Sequence, residues 1–352
     1  MITVCMIVKD EEKIIEKSLK SIVNFGLEIV VIDTGSKDNT KKIAAKYTSN
    51  IFDYKWCNNF SFARNFALSK VKSEYVLVLD ADETIKKVDF NVLNNLVLDN
   101  KHNVGRILRI NTYTRNKQKY TYKERVNRLF KVSDYKYSGS IHEQITSIDN
   151  EYDYKTYNIP IEVDHNGYEY DEIERKDKIG RNITLLKNEL KCGKNDPYII
   201  YQLGKSYYMK EDYKEAQKYF IRAMEFDLDT KLEYVQDMIE SYGYALINMK
   251  EYDKALDILN LYDEFKISCD FIFLCGLIYM NNGLFSEAIS EFRKATTYGE
   301  CKMEGVNDYI ANYNIGVIYE CIGKKEQAYD YYNRSKTYDL SQDALKRLMI
   351  RQ

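Results

Sequence analysis

Five apolar residues in succession, Tyr75-Val76-Leu77-Val78-Leu79, stop at Asp80-Ala81-Asp82-Glu83, and the same switch from apolar run to acidic turn occurs twice nearer the N-terminus. Thr3 to Val8 runs into Lys9-Asp10-Glu11-Glu12, and Ile29 to Ile32 runs into Asp33-Thr34-Gly35-Ser36-Lys37-Asp38-Asn39-Thr40. Short unbroken apolar runs closed by polar turns predict strands covered on both faces. After the first run the period becomes helical, with Ile14, Ile15, Leu19, Ile22 and Val23 recurring along one face. A second helix carries Phe60-Ser61-Phe62-Ala63-Arg64-Asn65-Phe66-Ala67 between the second and third runs. Alternating strands and helices predict an open α/β sheet, and such sheets bind ligands in the crevice beyond the carboxyl ends of their strands. Asp10, Asp33 and Asp80 stand at three successive strand ends, with Arg64 near the same edge.

The second half of the chain is patterned differently. Gly204, Gly243, Gly276 and Gly316 are each followed twelve positions later by an alanine, Ala216, Ala255, Ala288 and Ala328. Around them runs a two-helix pattern, as in Leu203-Gly204 and Tyr207 with Ala216, Phe220 and Ala223, or Ile315-Gly316 and Tyr319 with Ala328 and Tyr332. Small residues at this offset let two antiparallel helices approach closely, which is similar to the tetratricopeptide repeat. The glycines lie 39, 33 and 40 residues apart, so longer helices or loops are expected in places. Ahead of the repeats, Asp171 to Leu190 predicts one amphipathic connecting helix with Ile173, Ile179, Ile183, Leu186 and Leu190 on or near one face. Gly193-Lys194-Asn195-Asp196-Pro197 then breaks the chain and opens the first repeat, proline being tolerated in a first helical turn. No Gly/Ser-rich linker intervenes, so the two parts are expected to pack rather than swing freely.

Four segments in order, Met6-Ile7-Val8-Lys9-Asp10-Glu11-Glu12, Val31-Ile32-Asp33-Thr34-Gly35-Ser36-Lys37-Asp38, Ala63-Arg64-Asn65 and Leu79-Asp80-Ala81-Asp82-Glu83, resemble the inverting glycosyltransferases of family 2, which have the GT-A fold. They cover about the first quarter of the chain. Arg128-Leu129-Phe130 and Gly139-Ser140-Ile141-His142-Glu143-Gln144 extend the likeness more loosely through the first domain. The expected architecture is an α/β GT-A domain with a Rossmann-like mixed sheet over residues 1–170, a connecting helix over 171–195, and about four all-α repeats over 196–352.

Composition narrows the choices. With 352 residues, 45% of them hydrophobic, the chain can bury two cores. A net charge of −2 gives no electrostatic case for nucleic acid or an anionic membrane. The longest apolar stretch, Phe271 to Met280, is too short to span a bilayer. The N-terminus lacks a basic segment before its apolar run, so no signal peptide is expected. Seven cysteines without a CxxC pair suggest reduced cytoplasmic thiols that mostly pack. There is no GxGxxG, no P-loop and no GxSxG elbow, and three histidines, at 102, 142 and 165, form no HExxH zinc motif. The 33 tyrosines are spread throughout a Lys-, Asn- and Ile-rich chain and reflect compositional bias more than carbohydrate stacking.

The resemblance implies roles for individual residues. Sugar transfer from a nucleotide diphosphate leaves negative charge on the departing diphosphate, which a divalent cation such as Mn2+ or Mg2+ offsets. Asp82 is the leading candidate ligand. Asp80 is a second ligand or holds the ribose or a metal-bound water. His165, near the end of the domain, is the third, with the neighbouring Asp164 as an alternative oxygen donor. Glu143 is the candidate general base that takes the acceptor's proton, with Glu83 or Asp164 as competitors if His142-Glu143 only shapes the acceptor loop. Val8, Asp10 and Glu11 are placed around base and ribose, Asp33 on the base edge or ribose, and Arg64 near the base or diphosphate. Arg128 is either a mobile clamp over the phosphates or an exposed strand cation. Gly35-Ser36 reads as a turn before it reads as a phosphate cradle.

The resulting expectation is a cytoplasmic, metal-dependent, inverting glycosyltransferase. It would move a hexosyl or N-acetylhexosaminyl group from a nucleotide sugar, a UDP-sugar first, to a peptide or protein side chain. Family-2 proteins with such repeats include peptide and protein glycosyltransferases, and repeat faces present surfaces for an extended peptide or for a second copy of the chain in a homodimer. Two alternatives stand beside it. One is transfer to a surface glycan or lipid-linked intermediate; the other is an inactive GT-A domain carrying a partner-binding scaffold, against which the intact Asp33, Arg64, Asp80 and Asp82 speak.

Overall fold

Why the acidic turns converge is set by strand order. The computed structural model describes residues 2–115, 118–149, 155–165, 172–193 and 195–350. It divides into two compact units, Met1–Lys178 and Ile179–Gln352. The first unit runs β1 (Ile2–Val8), α1 (Ile15–Asn24), β2 (Glu28–Asp33), α2 (Thr40–Ala44), β3 (Ile51–Asp53), α3 (Phe60–Leu68) and β4 (Tyr75–Val78). It continues through β5 (Glu83–Val88), α4 (Phe90–Asp99), β6 (Val104–Arg115), β7 (Gln118–Lys131), β8 (Tyr135–Ser138), β9 (Gln144–Ser147) and β10 (Thr156–His165).

Among the described residues, eight strands pair in the order β3-β2-β1-β4-β7-β6-β10-β5. The first four are parallel, while β7 is antiparallel to both β4 and β6, and β10 runs parallel to β6 and antiparallel to β5. From β1 the chain winds outward through β2 and β3, then returns to β4 on the other side of β1. The crevice at the carboxyl ends of β1 and β4 is therefore a topological switch point, where open α/β sheets bind ligands. β3 escaped the sequence reading because it is only three residues long, so Asp80 closes the fourth strand of the chain and not the third.

Alternation along the central strands sorts two cores. Val4, Met6 and Val8 of β1 face Ile15, Leu19 and Ile22 of α1 and Leu93 and Val97 of α4. Cys5, Val30, Val76 and Val78 face the other way, onto Ala67 and Leu68 of α3 and onto Tyr135, Tyr137 and Ile145 of the separate β8–β9 hairpin. That second layer bears on function, because it lays the hairpin against α3 beside the crevice.

The predicted connecting helix is present as α5 (Glu172–Lys191), with Ile179, Ile183 and Leu186 buried. Asp171 and the side chain of Ile173 lie outside the described residues, as does Lys194. Asp196 caps the next helix by accepting from the Tyr198 amide at 2.8 Å, and Pro197 occupies its first turn as expected. The second unit is all helix: α6 (Pro197–Met209), α7 (Tyr213–Met224), α8 (Glu233–Asn248), α9 (Tyr252–Ala255), α10 (Tyr262–Phe265), α11 (Cys269–Asn281), α12 (Phe285–Ala295), α13 (Tyr309–Cys321), α14 (Lys325–Arg334) and α15 (Asp339–Ile350). A Cβ added to Gly204, Gly276 or Gly316 would lie 2.6 Å from the ring of Phe220, Phe292 or Tyr332, each sixteen positions on. The glycine therefore lets an aromatic of the paired helix seat against the backbone. Gly243 differs: its added Cβ would meet Leu274 at 2.7 Å, and the helix expected after it is broken into α9, a 3-10 turn over Leu256–Leu261, and α10. The 40-residue spacing is taken up by a loop between α12 and α13, where the Asp270 carboxylate accepts from the amides of Lys302 and Met303 at 2.7 and 2.8 Å.

Among the described residues no helix is long and apolar enough to cross a membrane. Cys5, Cys269 and Cys275 are buried, but Cys57, Cys192 and Cys321 are exposed, so packing accounts for fewer cysteines than expected.

Candidate active site

The site is organised around Arg64. Asn59 caps α3 by accepting from the Phe62 amide, and the helix buries Arg64 beneath the end of β4. Arg64 Nη2 donates to Asp80 Oδ1 at 2.8 Å, and its Nε donates to Glu143 Oε1. Asn65, the next residue, holds the hairpin: its Nδ2 donates to the Tyr137 carbonyl at 2.9 Å and its Oδ1 accepts from the Tyr137 amide at 2.8 Å. One helical turn thus fixes both the carboxylate at the strand end and the hairpin that leads to Glu143. Asn65 was legible only as part of a motif, because its partner is a backbone 72 positions away.

The other side of Asp80 is held from β7. Arg128 Nη2 donates to Asp80 Oδ2 at 2.6 Å and to Glu83 Oε1 at 2.8 Å, and Glu83 Oε2 accepts from the Asp80 amide at 2.9 Å. Arg109 of β6 joins them, donating to Glu83 at 3.2 Å and to Glu124 at 3.0 Å through Nε. Burial alone pushes the Asp80 carboxyl up, but the Arg128 and Arg64 guanidiniums outweigh it and hold this group well below the usual carboxylate range. Burial likewise opposes the charge on Arg64, and Asp80 and Glu143 more than restore it.

These bonds revise several expectations. Each oxygen of Asp80 accepts from an arginine, so Asp80 anchors the network, while its side chain keeps 31% exposure. The Glu83 side chain has no exposure and holds two guanidiniums, which removes it as a competing base. Arg128 is not an exposed strand cation; it is buried between two carboxylates, Asp80 and Glu83. Glu143 lies in the turn between β8 and β9, and its side chain retains 11% exposure. Asp164 pairs with Lys86 at 3.2 Å instead of pointing to the network.

Asp82 and His165 come together through sheet register. β10 pairs antiparallel with β5 so that His165 lies opposite Glu83, and this brings His165 Nε2 to 3.3 Å from Asp82 Oδ2. They are the pair that could hold a cation. Among the described residues no cluster of three or more His, Cys, Asp or Glu side chains forms a metal cage. Two donors suit a hard cation that takes its remaining ligands from phosphate oxygens and water.

At the ends of β1 and β2 two loops are tied together. Asp10, at φ 54°, accepts from the Lys37 amide at 2.7 Å and donates its own amide to Ser36 Oγ at 3.0 Å. The Glu11 amide donates to Thr40 Oγ1 at 2.7 Å, and Val8 accepts at its carbonyl from the Thr34 amide at 2.9 Å. Asp33 Oδ1 accepts from the amides of Gly35 and Ser36, both at 2.9 Å, closing a turn in which Gly35 has φ 109°. The turn reading of Gly35-Ser36 thus matches the backbone. Asp33 Oδ2, Arg64 Nη1, Arg128 Nε and the Tyr137 hydroxyl are buried without a hydrogen-bond partner among the described residues. Each such buried group left unmet costs about 1–3 kcal/mol unless water or a polar ligand meets it.

Residues 3–167 match the family model for glycosyl transferase family 2, and residues 197–230, 270–298 and 309–342 match that for a tetratricopeptide repeat. The first unit is a glycosyl transferase family 2 domain and the second a run of tetratricopeptide repeats. The unmatched stretch between the first two repeat matches contains the broken helix around Leu256–Leu261, which explains why four glycine–alanine pairs yield three matches. The chain is similar to a TPR repeat-containing protein of Synechococcus elongatus, at 26% identity over 62% of this chain and 55% of that protein. It is also similar to the SPbeta prophage-derived glycosyltransferase SunS of Bacillus subtilis, at 26% identity over 63% of this chain and 53% of SunS. It therefore spans about half the length of these curated relatives. A solved structure of MamA from Desulfovibrio magneticus is 19% identical over 48% of this chain and 90% of that chain, with a TM-score of 0.40.

Proposed function

We propose that this chain is a metal-dependent, inverting glycosyltransferase that moves a sugar from a UDP-sugar to a peptide or protein side chain in the cytoplasm. The observation that carries the reading is the approach of Asp82 to His165 at the switch-point crevice, beside an Asp80 already fixed by two arginines. The family-2 match supports the reaction class, and the name of SunS supports it further.

In this reading Asp33 Oδ2 accepts from the uracil N–H or a ribose hydroxyl, while Arg64 Nη1 and Arg128 Nε are donors left for a diphosphate oxygen. Asp82 and His165 would hold Mn2+ or Mg2+, which supplies charge neutralisation for the departing diphosphate. Glu143 accepts the proton of the acceptor nucleophile as that atom bonds to the anomeric carbon. The carbon–oxygen bond to the diphosphate breaks with its electron pair leaving on the diphosphate, and single displacement inverts the anomeric centre. Asn65 and Arg64 hold Glu143 on the acceptor side without touching the sugar. The repeats support a polypeptide acceptor, since stacked helix pairs present extended faces of the kind that take peptides.

A panel of nucleotide sugars tests the reading by following UDP release and the anomeric configuration of the product with and without Mn2+. Release from a UDP-sugar only with metal, inverted product, and loss of both in Asp82→Ala are expected. Turnover that ignores metal and survives Asp82→Ala would overturn it.

A further inference from the structure

We infer that Asn111 is the positioning residue that makes His165 a competent metal ligand, by fixing its tautomer and aim through a chain that begins at Glu124. This rests on the metal-dependent reading of the same site.

The geometry is specific. Asn111 lies on β6 directly opposite His165 of β10 and is buried, at 3% exposure. Its Nδ2 donates to Glu124 Oε1 at 2.7 Å and to the Tyr122 carbonyl at 3.3 Å. Both partners are acceptors, so the amide orientation is fixed and its oxygen must be the atom turned toward the imidazole. That oxygen, Oδ1, lies 2.6 Å from His165 Nδ1. A carbonyl oxygen only accepts, hence Nδ1 carries the proton and donates. A metal ligand must be the neutral ring, and with Nδ1 protonated its lone pair is on Nε2, the nitrogen 3.3 Å from Asp82 Oδ2. Metal-ligating histidines commonly have their second nitrogen held this way, and the partner orients the ring and raises its basicity.

Glu124 does not stand alone. Arg109 grips it through Nε at 3.0 Å and Nη2 at 2.9 Å, and the same guanidinium reaches Glu83 through Nη1. Glu83 in turn holds Arg128 and the Asp80 amide. Asp82's partner His165 and the arginines around Asp80 are therefore linked by one hydrogen-bonded chain, Asp80, Arg128, Glu83, Arg109, Glu124, Asn111 and His165, in which Arg128, Glu83 and Asn111 are buried. Neither motif spacing nor periodicity could reveal this, since Asn111 and Glu124 are unremarkable polar positions within a long β-hairpin.

Calorimetric or paramagnetic-resonance titration of the full-length protein with Mn2+ alone tests the inference without turnover. Asn111→Leu removes the acceptor at Nδ1, and Mn2+ affinity should fall about 10- to 100-fold. Asn111→Asp keeps an oxygen there and should stay closer to the wild type than Asn111→Leu. A second measurement needs no variant: histidine side-chain 15N spectra of the wild type should show His165 protonated at Nδ1, with Cd2+ shifting its Nε2. Equal Mn2+ binding by the wild type and a folded Asn111→Leu overturns the inference alone, as does a neutral His165 whose single proton is on Nε2, or a His165 that takes Cd2+ on Nδ1. A wild type that binds no Mn2+ overturns the metal reading and this inference together.

Discussion

At the scale of single residues, the crevice is a case of buried charges kept by mutual pairing. Glu83 is fully buried because Arg109, Arg128 and the Asp80 amide satisfy it. Removing one member of such a set leaves the others charged in a low-dielectric site, which costs about 3–5 kcal/mol. Glu83→Ala should therefore lower the stability of the first unit by about that amount, read by urea unfolding through Trp56, the single tryptophan of the chain. An unchanged unfolding midpoint would show that Glu83 bears no such burden. The sequence made Asp10, Asp33, Arg64, Asp80 and Asp82 visible because apolar runs point to them. It could not distinguish Asp80, which anchors two arginines, from Asp82, which faces a histidine, because that difference is set by strands 48 and more positions downstream. The Arg64–Glu143 pair spans 79 positions, and nothing local in the chain encodes it.

At the scale of elements, the strands that could be read were those buried on both faces. β1, β2 and β4 are continuous apolar runs. β6, β7 and β10 carry Arg109, Asn111, Glu124, Arg128 and His165 among their apolar residues, since these polar side chains build the candidate site, and for that reason they lack a clean period. The repeats were legible by arithmetic alone, because a glycine with an alanine twelve positions on recurs four times; that an aromatic sixteen positions on seats against three of those glycines came only with the structure. The second repeat kept its Gly243 and Ala255 but not its helix, and spacing cannot report that. Gly204→Ala would push a methyl group into the buried Phe220 ring and should destabilise the second unit by about 1–3 kcal/mol. Gly180, on α5 with nothing within 4 Å, is the counter-case. Gly180→Ala should instead stabilise by about 0.5–1 kcal/mol. Thermal unfolding followed by helical circular dichroism measures both, and equal effects would refute the packing argument.

At the scale of the whole chain, two units of different physical character are joined in sequence. One places carboxylates and arginines at a topological switch point; the other stacks helix pairs by seating aromatics against glycines. The central claim is that the crevice takes a nucleotide sugar with a divalent cation held by Asp82 and His165. Isothermal calorimetry of UDP-sugars against the full-length protein, with and without Mn2+, tests it most directly. Binding should require Mn2+ and be lost in Asp82→Ala, a variant whose thermal unfolding should match the wild type. Binding of equal strength without metal, or in Asp82→Ala, would contradict it.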